Sequence, residues 1–162
     1  MVSEANPCNA QEWIRDDFLI STDPKFLDLK TSHGFIASSY WAKSIPFEIF
    51  EKSVRNSLAF GVYRNATEAN ETRTQIGFAR VISDFATFAY LGDVFIDEKE
   101  RKQGLSKWLM ECVLGHPELQ GLRRICLGTQ DAHSLYEKYG FKNPENPRNW
   151  FEIKIKNPYV ER

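Results

Sequence analysis

The stretch from Leu91 to Phe141 constrains this chain more than any other. An apolar strand, Leu91-Gly92-Asp93-Val94-Phe95-Ile96, passes through an acidic linker into Arg101-Lys102-Gln103-Gly104-Leu105-Ser106. A helix begins there, because Leu105, Trp108, Leu109, Cys112 and Val113 recur at helical spacing as far as Gly115. Leu122 to Leu127 reads as another strand. Ala132, Leu135, Tyr136 and Tyr139 then mark one face of a helix that stops at Gly140, a residue suited to a left-handed cap. Strand, helix and strand in that order predict a right-handed parallel crossover from Thr87 to Leu127.

The remaining pattern supplies neighbours for that unit. Phe18 to Ser21 reads as the first strand, after a polar tail expected to be flexible over residues 1–12. Leu27 to Tyr40 is weakly helical and interrupted by Gly34. Pro46 to Ser57 is a better helix, with proline near its first turn and Phe47, Phe50 and Val54 on one face. Leu58 to Arg64, Thr74 to Ile82 and Thr87 to Ile96 follow as three strands joined by short polar links, the pattern of an antiparallel meander. Trp150 to Lys156 alternates, with Phe151, Ile153 and Ile155 apolar and Glu152, Lys154 and Lys156 charged, so it predicts a half-exposed strand. The sum is an α/β fold: one domain over residues 13–162, with a mixed central sheet flanked by helices.

A chain of 162 residues with 42% hydrophobic residues is long enough to bury one sizeable core unaided. Its net charge of −1 creates no global field for nucleic acid or an anionic membrane, so any anion site must be local. No apolar run approaches the length needed to cross a bilayer. Cys8, Cys112 and Cys126 are odd in number and widely spaced, which argues against a disulfide framework or a zinc site. His33, His116 and His133 show no metal-ligand spacing, and no metal is expected. Met1 to Ala10 lacks a basic start followed by an apolar core, so the expected location is the cytoplasm. Asn65-Ala66-Thr67 and Asn70-Glu71-Thr72 match the glycosylation pattern, but a polar loop in such a chain makes them chance matches.

The basic turn is where a local anion site fits. The first four N–H groups of a helix lack intrahelical partners, and the helix dipole adds partial positive charge to them. Gly104 lets backbone approach a phosphate closely, Ser106 adds a hydroxyl, and Arg101 and Lys102 add charge. Taken alone, the same residues read equally well as a solvated charge run ended by a turn glycine. Neither a P-loop nor a dinucleotide fingerprint is present.

Taken together, the apolar strand, the R-x-x-G-x-S turn, the helix, the strand and Leu135-Tyr136-Glu137-Lys138-Tyr139-Gly140-Phe141 resemble the GNAT superfamily of N-acetyltransferases. That family's turn is usually written [QR]-x-x-G-x-[GA]; Arg101, Gly104 and Ser106 stand in those places, serine being a small departure. Ala132, Leu135, Tyr136, Gly140 and Phe141 match its AxxLYxxxGF segment. Thr129 stands seven residues before the tyrosine, where the family often has asparagine. The likeness covers about Ser57 to Phe141 and says little about substrate.

The resemblance implies acetyl-CoA as cosubstrate and direct attack of an amine on its thioester. Main-chain donors from Gln103 through Leu105 to Ser106, with Arg101, Lys102 and Thr129, would hold the cofactor. Backbone amides near Phe95 and Ile96 are candidates to stabilise the developing oxyanion. Tyr136 resembles the family's general acid for the leaving thiolate, although a tyrosine on an apolar helix face also serves as ordinary core. Asp93 is the nearest carboxylate to act as base, but a strand carboxylate more often just pairs with a neighbour such as Arg80, and that structural reading is the stronger one. Gly92 inside the strand is consistent with a bulge or a close ligand approach. Tyr40, Trp41, Arg80, Asp84 and Tyr90 are candidates to line the acceptor pocket, with Phe85, Phe88 and Trp150 as further aromatics. The implied partner is a small-molecule amine or amino acid, with a homodimer left open and no nucleic acid or membrane. A non-catalytic acyl-CoA-binding or regulatory module of the same fold is the alternative.

Overall fold

Among the described residues, six strands form one sheet in chain order: β1 (Glu12–Arg15), β2 (Phe18–Ser21), β3 (Leu58–Arg64), β4 (Thr74–Ser83), β5 (Phe88–Ile96) and β6 (Arg124–Cys126). The computed structural model describes residues 10–66, 72–156 and 158–159. Neighbours from β1 to β5 are antiparallel, and β5 pairs with β6 in parallel. A parallel pair needs a crossover, which α3 (Leu105–Leu114) supplies. Two further helices, α1 (Leu29–Ser38) and α2 (Phe47–Arg55), fill the connection between β2 and β3, and a short α4 (His133–Glu137) follows β6.

Alternation along β3 divides the interior into two cores. Phe60 and Val62 face Leu105, Trp108, Leu109 and Val113 of α3 together with Val81 and Leu91 of the sheet. Ala59 points the other way and joins Phe78, Ile36 of α1, and Phe50 and Val54 of α2. This double burial explains why β3 is apolar throughout rather than alternating.

The two N-terminal helices are held by polar contacts as well. Asp28 caps α1 by accepting from the Lys30 and Thr31 N–H groups, each at 3.0 Å. The buried Gln75 on β4 accepts from Asp28 N at 2.8 Å and donates to Ser32 Oγ at 2.8 Å, which ties the start of α1 to the sheet. His33 Nε2 lies 2.7 Å from the Ile45 carbonyl and pins the loop between α1 and α2.

Several expectations need correction. Phe18–Ser21 is not the first strand: β1 precedes it and pairs with it from Glu12↔Ser21 to Arg15↔Phe18. Residues 1–9, including Cys8, lie outside the described residues, as does most of the sequon loop. The strand expected from Leu122 to Leu127 is confined to Arg124–Cys126, because its neighbour β5 diverges beyond that point. Trp150 to Lys156 forms no strand. Among the described residues, nothing hydrogen-bonds to the backbone of residues 151–156, and Phe151 and Ile153 are each 93% exposed. Cys112 is buried, as its helical pattern suggested.

Leu109 is fully buried at the centre of the α3 face. Leu109→Ala is expected to lower the unfolding free energy by about 2–5 kcal/mol through lost transfer energy and a residual cavity. Urea denaturation measures this. A change below about 0.5 kcal/mol, as for an open surface site, would contradict that packing.

Candidate active site

β5 and β6 pair only through Phe88–Tyr90 and Arg124–Cys126, and beyond those residues they separate. The opening is a cleft of about 570 Å³ between the outer part of β5 and the segment leading into α4. A β-bulge shapes its wall. Phe78 pairs with Phe95 and Arg80 with Gly92, so Asp93 and Val94 together oppose the single residue Ala79. Asp93 has φ 55°, a left-handed conformation that costs a non-glycine residue energy.

Three polar contacts hold that conformation. Arg80 Nε donates to Asp93 Oδ2 at 2.8 Å, and Trp41 Nε1 donates to Oδ1 at 3.0 Å. Arg80 Nη1 in turn donates to Ser57 Oγ at 3.1 Å. The Arg80 and Asp93 side chains are only 16% and 9% exposed, so the pair is largely desolvated. At the far end of β5, Asp97 N donates to Ile76 O on β4 at 2.8 Å. Strand alternation then turns the Ile96 N–H toward the open side, where β6 no longer reaches.

The basic turn follows directly. Asp97 caps a 3₁₀ turn at Glu98–Glu100, after which Lys102 (φ 67°) and Gly104 (φ 75°) are both left-handed. Glu100 anchors the turn by accepting from the Arg64 guanidinium and from Gln103 Nε2. The Arg64 hydrogen bond is the largest influence holding the Glu100 carboxyl below its ordinary range. Among the described residues no side chain caps helix α3, and Trp108 N donates to Gly104 O at 3.0 Å across its first turn. Among the described residues, the N–H groups of Gln103, Gly104, Leu105 and Ser106 donate to no protein group. Four adjacent donors are therefore open at a helix start, which is the arrangement that binds phosphate.

The other arm carries Tyr136. Its ring packs edge-on against Phe141, and it is buried except where it meets the cleft. Its hydroxyl makes no hydrogen bond to a described residue. Burial, reinforced by the nearby Tyr40, Asp131 and Tyr90, pushes the phenol up to about 12. The group is thus a proton donor throughout the neutral range. Thr129 lines the cleft, and its Oγ1 accepts from Ala132 N at 3.1 Å, capping the entry to α4. The loop between α1 and α2 spans both arms: Trp41 reaches Asp93 on one, and Tyr40 Oη accepts from Gln130 N at 3.1 Å on the other.

The fold gathers most of the sequence candidates. Arg101, Ser106, Phe95, Ile96, Tyr40, Trp41, Arg80 and Tyr90 all line the cleft. Leu105 contributes only its main chain, since its side chain is in the core. Lys102, Gln103 and Gly104 sit at the exposed turn outside the cleft lining. Asp84 lies elsewhere. It organises the β4–β5 hairpin by accepting from the N–H groups of Ala86, Thr87 and Phe88 and from the Thr87 hydroxyl, and these bonds hold its carboxyl far below the usual range. Sequence reasoning missed Arg15, whose Nη2 would lie 3.8 Å from a Cβ built on Gly104 and whose guanidinium covers the Trp108 ring at 4.5 Å. Nothing local marked it, because the four-residue β1 is too short to show a strand pattern ahead of Phe18. Tyr159 also lines the cleft unexpectedly.

The sheet thus splits beside a helix start whose N–H donors are unclaimed, and Tyr136 stands across the gap. Residues 60–143 match the family profile described as the acetyltransferase (GNAT) domain. The protein FG08082 of Gibberella zeae, whose name places it among acetyltransferases, is 33% identical over 149 residues, covering 82% of this chain and 83% of that one. The crystal structure of a GNAT-family protein (xcc2953) from Xanthomonas campestris pv. campestris is 43% identical with a TM-score of 0.81, covering 89% of this chain and 97% of that one. A GNAT-family acetyltransferase of Elizabethkingia anophelis, solved with acetyl-CoA bound, shares the fold at a TM-score of 0.58 and 16% identity, over 88% of this chain and 91% of that one. The chain belongs to the GNAT family of acetyltransferases.

The raised phenol gives a pH signature. The folded state holds the Tyr136 proton to about 12, whereas an ordinary tyrosine phenol ionises near 10, so the unfolded chain releases it first as pH rises. This contribution to stability is complete below the unfolded value and is lost as pH climbs through the folded one. The difference in tyrosinate absorbance between the native protein and Tyr136→Phe is expected to show one phenol ionising near 12. A difference titrating at 10 would mean that the ring is solvated.

Proposed function

We propose that the protein is an acetyl-CoA-dependent N-acetyltransferase that moves an acetyl group directly to a primary amine of a small molecule or an amino acid. The observation that carries this reading is the run of four unclaimed N–H donors from Gln103 to Ser106, joined by one cleft to the Tyr136 phenol. The acetyl-CoA bound by the Elizabethkingia relative on the same fold supports the choice of cofactor. A left-handed glycine and a helix start without a side-chain cap suit a diphosphate, with Arg15 and Arg101 nearby for its charge. Bound there, acetyl-CoA supplies the thioester carbonyl and a thiolate leaving group.

The residues of the chain then have separable tasks. The Ile96 N–H on the open side of β5 donates to the carbonyl oxygen as negative charge develops there. Tyr136 gives its proton to the departing sulfur as the new C–N bond forms and the C–S bond breaks. Asp93 already accepts one hydrogen bond on each carboxylate oxygen, so it keeps lone pairs to orient the amine and take its proton, directly or through water. Tyr40, Trp41 and Tyr90 give the acceptor end an aromatic rim suited to the body of a small amine or to its cationic form. We place the protein in the cytoplasm, in keeping with the free thiols of Cys112 and Cys126. Among the described residues, no helix is long and apolar enough to cross a membrane.

Single-turnover release of CoA thiol, measured over a panel of amines, tests the reading. Tyr136→Phe is expected to slow release by about 10²–10⁴-fold while acetyl-CoA affinity stays nearly intact. An unchanged rate would remove Tyr136 from the chemistry. Gly104→Val is expected to weaken acetyl-CoA binding, since a β-branched residue at a left-handed φ distorts the turn. Tight acetyl-CoA binding by the native protein without thiol release to any amine would identify a binding module rather than an enzyme.

A further inference from the structure

The cleft holds a charge pair whose hydrogen-bonding capacity is only partly used. Arg80 Nε donates to Asp93 Oδ2 at 2.8 Å, and Arg80 Nη1 donates to Ser57 Oγ at 3.1 Å. A guanidinium carries five N–H donors in a planar fork, yet among the described residues Nη2 donates to none. Leaving such donors unpartnered is costly for a side chain only 16% exposed. Arg80 and Asp93 both line the cleft. Gly92, paired with Arg80 across the two strands, adds no side chain that would cover the fork.

Holding Asp93 at its bulge explains only one prong of that fork. Nε makes the bond, and a lysine supplies the same charge. What a lysine lacks is the second, parallel prong, the feature by which arginine recognises a carboxylate. The other cation of the cleft, Arg101, belongs to the basic turn and faces Glu98 at 3.5 Å. Arg80 is therefore the cation that adjoins Asp93.

We propose, on the N-acetyltransferase reading of the same cleft, that Arg80 and Asp93 recognise a zwitterion: the acceptor is an α-amino acid whose carboxylate takes the free Nη2 edge of Arg80 while its amine meets Asp93. An α-amino acid carries both charged groups on one carbon, so they are close neighbours, as Arg80 and Asp93 are. The ion pair is neutral in sum, and a ligand also neutral in sum leaves no buried charge unmatched. A simple amine leaves the fork unfilled, and a simple carboxylate meets Asp93 with like charge. The amino-acid side chain finds an apolar wall beside the pair. Trp41 donates to Asp93, Tyr90 adjoins Gly92, and Ile45 and Ile49 line the same cleft. That wall suits an aliphatic or aromatic side chain. Acetylation removes the charge on nitrogen and with it the attraction to Asp93, which favours release of the product.

Thiol release by the native protein with acetyl-CoA tests the proposal on leucine, phenylalanine and tryptophan, each beside its primary amide. At least one amino acid is expected to exceed its amide about 10–100-fold in kcat/KM, chiefly through KM. The amide's amine is the less basic, so amine ionisation does not produce that preference. Arg80→Lys keeps a cation beside Asp93 but removes the fork, and should bring the ratio near one; loss of an arginine that only holds the bulge lowers both rates together. Should R80K fail to fold by circular dichroism, the native series still decides. Equal turnover of amino acid and amide overturns the proposal and leaves the acetyltransferase reading standing. Calorimetric titration of the CoA complex separates the two further. Amino acids that bind more tightly than their amides, with no thiol release from acetyl-CoA, uphold the carboxylate anchor and overturn the acetyltransferase reading. Binding and turnover of none of the three overturn the proposal.

Discussion

The separation of β5 from β6 depends on a bulge held by one desolvated carboxylate. Asp93 adopts a left-handed conformation that costs a non-glycine residue on the order of 1–3 kcal/mol. Charge-assisted bonding from Arg80 and a further bond from Trp41 offset that cost. The bulge redirects the outer half of β5, and the parallel pairing stops after Tyr90. Because Trp41 belongs to the loop between α1 and α2, the same carboxylate also fixes that loop against the cleft.

The second constraint is electrostatic. A chain of net charge −1 cannot attract a polyanion by its overall field, so selectivity for one must come from oriented donors. Left-handed Lys102 and Gly104 turn successive N–H groups outward ahead of α3, and the burial of Leu105, Trp108 and Leu109 holds that helix rigidly against the sheet. Packing of an apolar helix face thus positions a polar site at its end. The Glu100 anchor to Arg64 and Gln103 fixes the other side of the turn.

Long periodic elements were legible in the sequence. Leu105 to Leu114 showed its helix by apolar spacing, and β3 showed burial on both faces by continuous hydrophobicity. The turn and the Tyr136 segment were legible through their joint spacing. Three features were not. β1 has exposed Glu12 and Ile14 and too few residues for a pattern, so Arg15 gave no sign of its place beside Gly104. Asp84 and Asp93 look alike in sequence, yet one closes a hairpin and the other accepts from Arg80 and Trp41; only tertiary contacts distinguish them. Phe151 to Ile155 has the period of a strand, but periodicity reports which face is apolar and cannot name what covers it.

The central claim is that unclaimed main-chain donors at the start of α3 hold the cofactor's diphosphate and aim its thioester along β5. Amide-resolved nuclear magnetic resonance during titration with CoA reads those donors one by one. The account predicts the largest downfield shifts at the amides of Gln103 to Ser106, and an added shift at Ile96 when acetyl-CoA replaces CoA. Saturable binding that leaves the four turn amides unmoved, while amides elsewhere respond, would contradict it.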